Sequence, residues 1–259
     1  MQTIGTLTVA LAAVLAAGGV AQAGESMSAS AADAAKPPES RATDAGSPFE
    51  FALSAAWDSH YVSEGRDNLD GDSLVGTTFE AAAYGFTAGA WYASSPNANY
   101  SELNLYGEYA LELGDFEVYA GYTYLNFPAD DADDHEVGAG IAYGGLPFEI
   151  TPAIDWYHSF EADGSFFEAS ISGELELLDW LELEPFALIG WNEGYIADGH
   201  NGANNVAIGI VTEIDLSNNV ELSAYLAYNW AIDSNPDANP DDQLLKDFLY
   251  GGVAIDFEF

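Results

Sequence analysis

The chain has 259 residues, with 43 acidic and 4 basic side chains and a formal net charge of -39 at pH 7. That balance excludes a nucleic-acid partner, which needs a basic footprint, and any basic contact with anionic lipid headgroups. Cysteine is absent, which excludes a disulfide framework and thiol chemistry, while 49% hydrophobic and 14% aromatic residues are too many for a disordered acidic chain.

The first 23 residues read as a secretory signal. Thr6 to Val20 is apolar and rich in small residues, and Ala21-Gln22-Ala23 fits an A-x-A cleavage site before Gly24. No Lys or Arg precedes the apolar run, so the basic start of a standard signal is missing. A transmembrane anchor is the bland alternative, but the run is short for one and rich in Ala and Gly. Residues 24–47 hold Ala, Ser, Asp and Pro without periodicity, including Lys36-Pro37-Pro38, and read as a disordered periplasmic linker.

From 48 to 259 the chain reads as one all-β domain, a closed antiparallel transmembrane barrel of about twelve strands. Apolar and polar side chains alternate, as they must where one strand face meets lipid and the other meets water. The strands are expected over Phe49–Tyr61, Ser73–Tyr84, Phe86–Ala93, Tyr100–Glu112, Phe116–Leu125, His135–Tyr143, Phe148–Ser159, Ser165–Leu177, Leu181–Asn192, Asn204–Leu216, Val220–Trp230 and Leu244–Phe259. The last ends Ile255-Asp256-Phe257-Glu258-Phe259, apolar out and acidic in, on an aromatic suited to the membrane boundary. Pro152 and Pro185 fall inside strands and are expected to mark bulges or kinks, because proline cannot donate to a ladder.

Short connections alternate with long ones. The short ones include Gly85, Leu113-Gly114-Asp115 and Ser217-Asn218-Asn219; the long ones lie near 63–72, 94–99, 126–134, 161–164, 193–203 and 231–243. Short periplasmic turns and longer extracellular loops are the outer-membrane pattern, with both termini periplasmic. Aromatics gather at both strand ends. Trp57, Tyr92, Trp156, Trp191 and Trp230 lie toward the long loops, and Tyr84, Phe86, Phe116, Tyr143 and Trp180 toward the short turns. Two separated bands suit two membrane interfaces better than one globular core.

The segment from Tyr61 to Asp72 (YVSEGRDNLDGD), the run Phe86-Thr87-Ala88-Gly89-Ala90-Trp91, and the hairpin residues Glu102 to Tyr109 with Gly114-Asp115-Phe116 together resemble the TorF-type family of outer-membrane porins. The resemblance covers roughly 53–125. Elsewhere only the strand rhythm matches. It implies an outer-membrane barrel and a channel. Glu64 stands where that family carries an arginine, and Arg66 follows two positions later, so a role tied to that arginine does not transfer.

The inward face carries the functional argument. The pore-lining candidates are Glu102, Glu108, Glu112, Glu117, Glu149, Asp155, Glu174, Glu182, Glu213, Glu221 and Asp256, many of them near the short turns. An acidic ring without cations attracts mobile cations and favours their passage. Passive diffusion of small solutes with a cation preference is therefore expected, and a non-conducting structural or adhesive barrel acting through acidic loops is the alternative. Arg66 and Lys246, the basic residues of the barrel region, are expected to pair with carboxylates in structural roles. Asp130-Asp131-Ala132-Asp133-Asp134 is a dense acidic cluster, and the series from Asp233 to Asp241 fails the calcium-loop pattern at Ala238 and Leu244. Both read as solvated loops.

No G-x-S-x-G or H-E-x-x-H occurs, and His158-Ser159 are sequence neighbours on opposite strand faces, so no enzyme is expected. A lipid-modifying activity would need a His/Ser pair on one face of adjoining strands. No cofactor is expected. The partners expected are outer-membrane lipid, the barrel-assembly machinery, and small solutes or cations. Oligomeric state is not legible.

Overall fold

The structure, a computed structural model, describes residues 49–259. The signal and linker expected over 1–23 and 24–47 lie outside the described residues. Twelve strands cross the barrel wall: β1 (Glu50–Asp58), β2 (Leu74–Ala83), β3 (Phe86–Ser94), β4 (Ser101–Leu113), β5 (Phe116–Phe127), β6 (Ala132–Tyr143), β7 (Ile150–Ser159), β8 (Gly164–Gly173, continued by Leu175–Leu178), β9 (Leu181–Glu193), β10 (Gly202–Ser217), β11 (Val220–Ala231) and β12 (Phe248–Glu258). Each pairs antiparallel with its neighbour in sequence, and β12 closes on β1 with Leu53 opposite Phe257 and Trp57 opposite Val253. Closure leaves no unpaired edge, the condition for a sheet to sit in hydrocarbon.

The alternation read from sequence sets the two faces. Phe51, Leu53 and Trp57 of β1 point outward, as do Ile154, Ile208, Leu226 and Val253 on other strands, all exposed on the isolated chain. Between them, Asp58, Glu102, Glu108, Asp155, Glu168 and Glu213 turn inward and are buried. This inversion of a soluble protein places the fold in a bilayer. Leu226 faces lipid beside Ile210 and is 53% exposed. Leu226→Arg should lower the unfolding free energy in lipid vesicles by at least about 2 kcal/mol, measured by denaturant titration. The same change at inward Ala227 lacks the lipid penalty and should give a different, sterically driven loss.

The prolines act differently from expectation. Pro152 stays in register opposite Ile171, and Pro185 opposite Ile210, with no bulge at either. Each instead sits beside a place where a ladder stops, which suits a residue with no N–H to donate. The β6–β7 ladder ends at Ala142 and Ala153, next to Pro152. The β8–β9 ladder breaks between Ser172/Phe186 and Leu175/Leu183, beside Pro185. The register shifts fall elsewhere, at Gly190/Trp191, Glu176/Leu178 and Asp215/Ser217.

Several boundaries also move. β5 and β6 extend past their expected ends, so Asp133 and Asp134 belong to β6 and the loop shrinks to 128–131. The expected last strand starts late, because Leu244 and Leu245 belong to the preceding loop. Tyr61 leaves β1 and turns into the barrel, where it is 3% exposed.

That turn is the main departure. The first long loop, residues 59–73 (L1), does not extend into solvent. A small hairpin of Val62–Ser63 against Arg66–Asp67 folds inside the barrel. Val62 packs on Val211, Tyr225, Ala227 and Tyr250 of the β10–β12 wall, while Tyr61 packs with Leu74, Trp91 and Ala93 of the β2–β3 wall. The fifth loop, residues 194–201 (L5), sends Tyr195 against Tyr157 and Phe166. L1 and L5 thus contribute to three of the buried apolar clusters, while two smaller ones, around Tyr119–Ala142 and Leu188–Ala207, lie on the wall itself.

Candidate functional site: an acidic lumen closed by L1

Pairing register places carboxylates side by side on the inner wall. Glu112 stands directly opposite Glu117, Asp155 opposite Glu168, and Glu182 opposite Glu213. Asp215, Glu221 and Asp256 make a row across three strands. Like charges directly opposite on one sheet face oppose folding by a few tenths of a kcal/mol to about 1 kcal/mol per pair. Protons or mobile cations relieve that repulsion, so the wall is an attractor for positive charge.

The sequence-derived candidates divide by height. With the short turns toward the periplasm, Glu112 is exposed at that mouth, Glu174, Glu182, Glu221 and Asp256 are half-buried, and Glu117 and Glu213 are buried. Glu108 and Asp155 lie deeper, and Glu102 near the loop end is fully buried. Glu149 is placed differently from the expectation. It sits in the short turn Pro147–Glu149 before β7, exposed and with positive φ, so it belongs to the rim and not to the wall.

Tyrosines brace the wall carboxylates. Tyr61 and Tyr100 both donate to Glu102, Tyr119 to Asp155 at 2.8 Å, Tyr225 to Asp58 at 2.8 Å, Tyr106 to Glu80 at 2.5 Å, and Tyr195 to Glu136. Each donated O–H satisfies an oxygen that desolvation would otherwise penalise.

L1 brings a further carboxylate into this space. Glu64 is 3% exposed, and Glu102, Glu136, Glu168, Tyr157 and Tyr195 face it closely enough to feel its charge. Burial pushes the Glu64 carboxyl up to about 7, against the smaller opposing pull of Ser63 and Arg66. Gly65 makes the close approach possible. Its φ is +69°, and a Cβ there would lie 2.5 Å from the Asn205 Cβ of β10.

The neighbouring Arg66 holds the loop. It is 2% exposed, donates from Nη1 to Asn204 Oδ1 at 2.8 Å, and pairs through Nη2 with Asp242 Oδ1 at 3.3 Å. Asp242, from the sixth loop (L6, residues 232–247), also accepts from the backbone N–H of Asn235 and His200 and faces the His200 ring. Burial works to raise the Asp242 carboxyl, but these donors outweigh it and hold the group below the usual carboxylate range. The second basic residue, Lys246, pairs with Asp70 at 2.6 Å on the exposed surface. Both ion pairs match the expectation of structural pairing.

Sequence reasoning did not single out Tyr195, Asn204, Asn205, Asn229 or Asp242. Three asparagines facing one end of the lumen, in an otherwise acidic chain, were the available signal for a backbone docked against the wall. Asn204 Nδ2 donates to the Glu64 carbonyl at 2.6 Å, and Asn229 Nδ2 to the Gly65 carbonyl at 2.9 Å.

A His/Ser contact does occur on one strand face, between His158 Nδ1 and Ser165 Oγ at 3.1 Å across β7 and β8. Rings of Trp156 and Phe160 flank the imidazole. Among the described residues no carboxylate orients it, so the third member of a nucleophile-activating set is missing, and the pair is a cross-strand contact.

No known family model matches the chain, and no curated protein matches it in sequence. Solved structures match the fold. The KdgM porin aligns with TM-score 0.56 at 7% identity, over 80% of this chain and 99% of its own. The same porin in complex with disordered oligogalacturonate gives 0.55 at 7% identity, over 81% and 99%. The NanC porin gives 0.53 at 10% identity, over 80% and 98%. Closed wall, lipid-facing belt and these likenesses agree: the chain is a twelve-stranded outer-membrane β-barrel of porin-like fold.

Proposed function

We propose that the barrel is a channel for passive diffusion of small solutes, selective for cations over anions, and that the resemblance of residues 53–125 to the TorF-type porins reflects a shared role. The observation that carries the reading is the charge of the inner wall. Carboxylates stand opposite carboxylates along it, and the barrel region holds two basic residues, Arg66 and Lys246, both already paired. Such a wall raises the local cation concentration and repels anions. An anionic oligosaccharide such as the oligogalacturonate of the KdgM complex does not suit it.

Single-channel recording of refolded protein in a salt gradient tests this. Discrete steps with a reversal potential on the cation side are the expected result. Glu182→Gln, Glu213→Gln, Glu221→Gln and Asp256→Asn combined should move that potential toward zero. Glu149→Gln, at the rim, should leave it nearly unchanged. A reversal potential that ignores the four wall substitutions would sink the proposal.

One observation favours a non-conducting structural or adhesive barrel. Leu74, Glu102, Asn104, Thr123, Leu125 and Asn192 have no exposed surface at the loop-filled end. L1 and L5 occupy the lumen at that end. Absence of steps at every pH, in protein shown to be inserted, would favour this second reading.

A further inference from the structure

We propose that L1 is a proton-controlled gate, held inside the lumen by a clasp of Arg66, Asp242 and His200 and released when the His200 ring loses its second proton. The consequence for conduction rests on the channel reading. The movement of the loop does not.

L1 is held mainly by side chains. Its small hairpin makes no ladder with the barrel wall. It meets L6 through the Arg66–Leu245 bridge and the Asp67 N–H to Leu244 carbonyl bond at 3.1 Å. The other ties run through Asn204, Asn229, the Arg66 guanidinium, the Tyr61–Glu102 bond, the exposed Lys246–Asp70 pair and the packing of Tyr61 and Val62 on the wall. A segment docked this way has two arrangements available without breaking the barrel.

The clasp joins three loops at one carboxylate. Asp242 Oδ1 takes Arg66 Nη2 from L1 and the His200 N–H from L5, while Oδ2 takes the His200 ring and the Asn235 N–H of L6 itself. Gly199 lets L5 press on Arg66, since a Cβ there would lie 2.7 Å from Nη2. Moving any of the three loops therefore disturbs the other two.

The His200 ring shows which proton matters. Nδ1 lies 3.0 Å from Asp242 Oδ2, and Nε2 lies 2.9 Å from the Ala203 carbonyl oxygen. Both partners are acceptors, so only the doubly protonated imidazolium donates to both. A neutral ring leaves one contact without its hydrogen and removes the positive charge beside Asp242. The charged groups shown at the clasp are Asp242 of L6, which contacts the ring, and Arg66 of L1, which shares that carboxylate and also feels Asp241 of L6.

Glu64 works in the same direction. Its carboxyl is buried beside the wall carboxylates Glu102, Glu136 and Glu168, so ionisation as pH rises sets like charges against one another in the docked loop. Arg66 is the counter-charge present, and it is shared with Asp242.

The test uses the cysteine-free background. Ser63→Cys, buried in the docked loop, is labelled with a membrane-impermeant thiosulfonate reagent in refolded protein. Exposed Asp131→Cys in the third loop supplies the reference rate, which removes the thiol's own pH dependence. The normalised rate should rise about tenfold or more from about pH 5.5 to about pH 8.5, the worth of one charged hydrogen bond. With His200→Phe it should be fast at both. Equal normalised rates in the native background would overturn the gate, and a pH dependence that survives His200→Phe in full would overturn the clasp. Fast labelling at high pH without conductance would keep the gate and remove the channel reading.

Discussion

Replacing Asp242 with alanine is expected to lower the unfolding free energy by about 3–5 kcal/mol, the cost of stripping one partner from a buried ion pair. The Arg66 guanidinium, 2% exposed, would keep only carbonyl and amide acceptors. The backbone N–H groups of Asn235 and His200 would lose their acceptor in the same step. Denaturant titration in lipid vesicles measures the loss, and L1 labelling should become fast at every pH. Asp70→Ala removes the exposed partner of Lys246 and should leave stability unchanged, because exposed pairs contribute little. Equal effects from the two substitutions would contradict the clasp. The Asp242 carboxyl lies below its unfolded value. Its contribution is therefore complete above about pH 4 and is lost as pH falls through the lower, folded value.

The second large effect belongs to Glu64. Its carboxyl is raised from 4.5 to about 7 in the docked loop. A raised acid opposes the docked state as pH climbs through 4.5, and the penalty is complete above about pH 7. There it amounts to about 3 kcal/mol. Glu64→Gln keeps the shape and removes the charge, so it should hold L1 in the lumen more firmly at alkaline pH and leave it unchanged near pH 4. Normalised Ser63→Cys labelling across that range measures this directly. Slower labelling at acid pH in place of alkaline pH would reverse the assigned sign. Asp242 and Glu64 thus set opposite limits: protonating the first loosens the loop at low pH, and ionising the second loosens it as pH rises.

The strand calculus of this fold was open in the sequence because it is local. A side chain's face follows from its parity in a strand, so Phe51, Leu53 and Trp57 had to share the lipid side while Glu80, Glu102 and Asp155 shared the other. Closure followed as well, since an edge cannot stay unpaired in hydrocarbon, and an even strand count returns the chain to its starting side. Glu149 escaped parity because proline and a positive φ at Phe148 delay the start of β7. The sequence points to bulges or kinks at the prolines because it reports the missing N–H but not where a neighbouring ladder ends, and the register shows no bulge at either.

L1 lay beyond local reading. Val62, Glu64 and Arg66 sit in a polar, glycine-containing segment that composition assigns to solvent. Their burial depends on Val211, Asn204 and Asp242, more than 130 residues away in the chain. What the sequence determined by itself was the barrel, its twelve crossings, its acidic wall and its membrane setting, all consequences of alternation with period two. The tertiary structure alone decided that loops occupy the lumen at one end, that Glu64 enters it, and that His200 and Asp242 hold the loop there. Those are meetings between loops, and loop contacts follow from the barrel's closure in space, where no periodicity in the chain announces them.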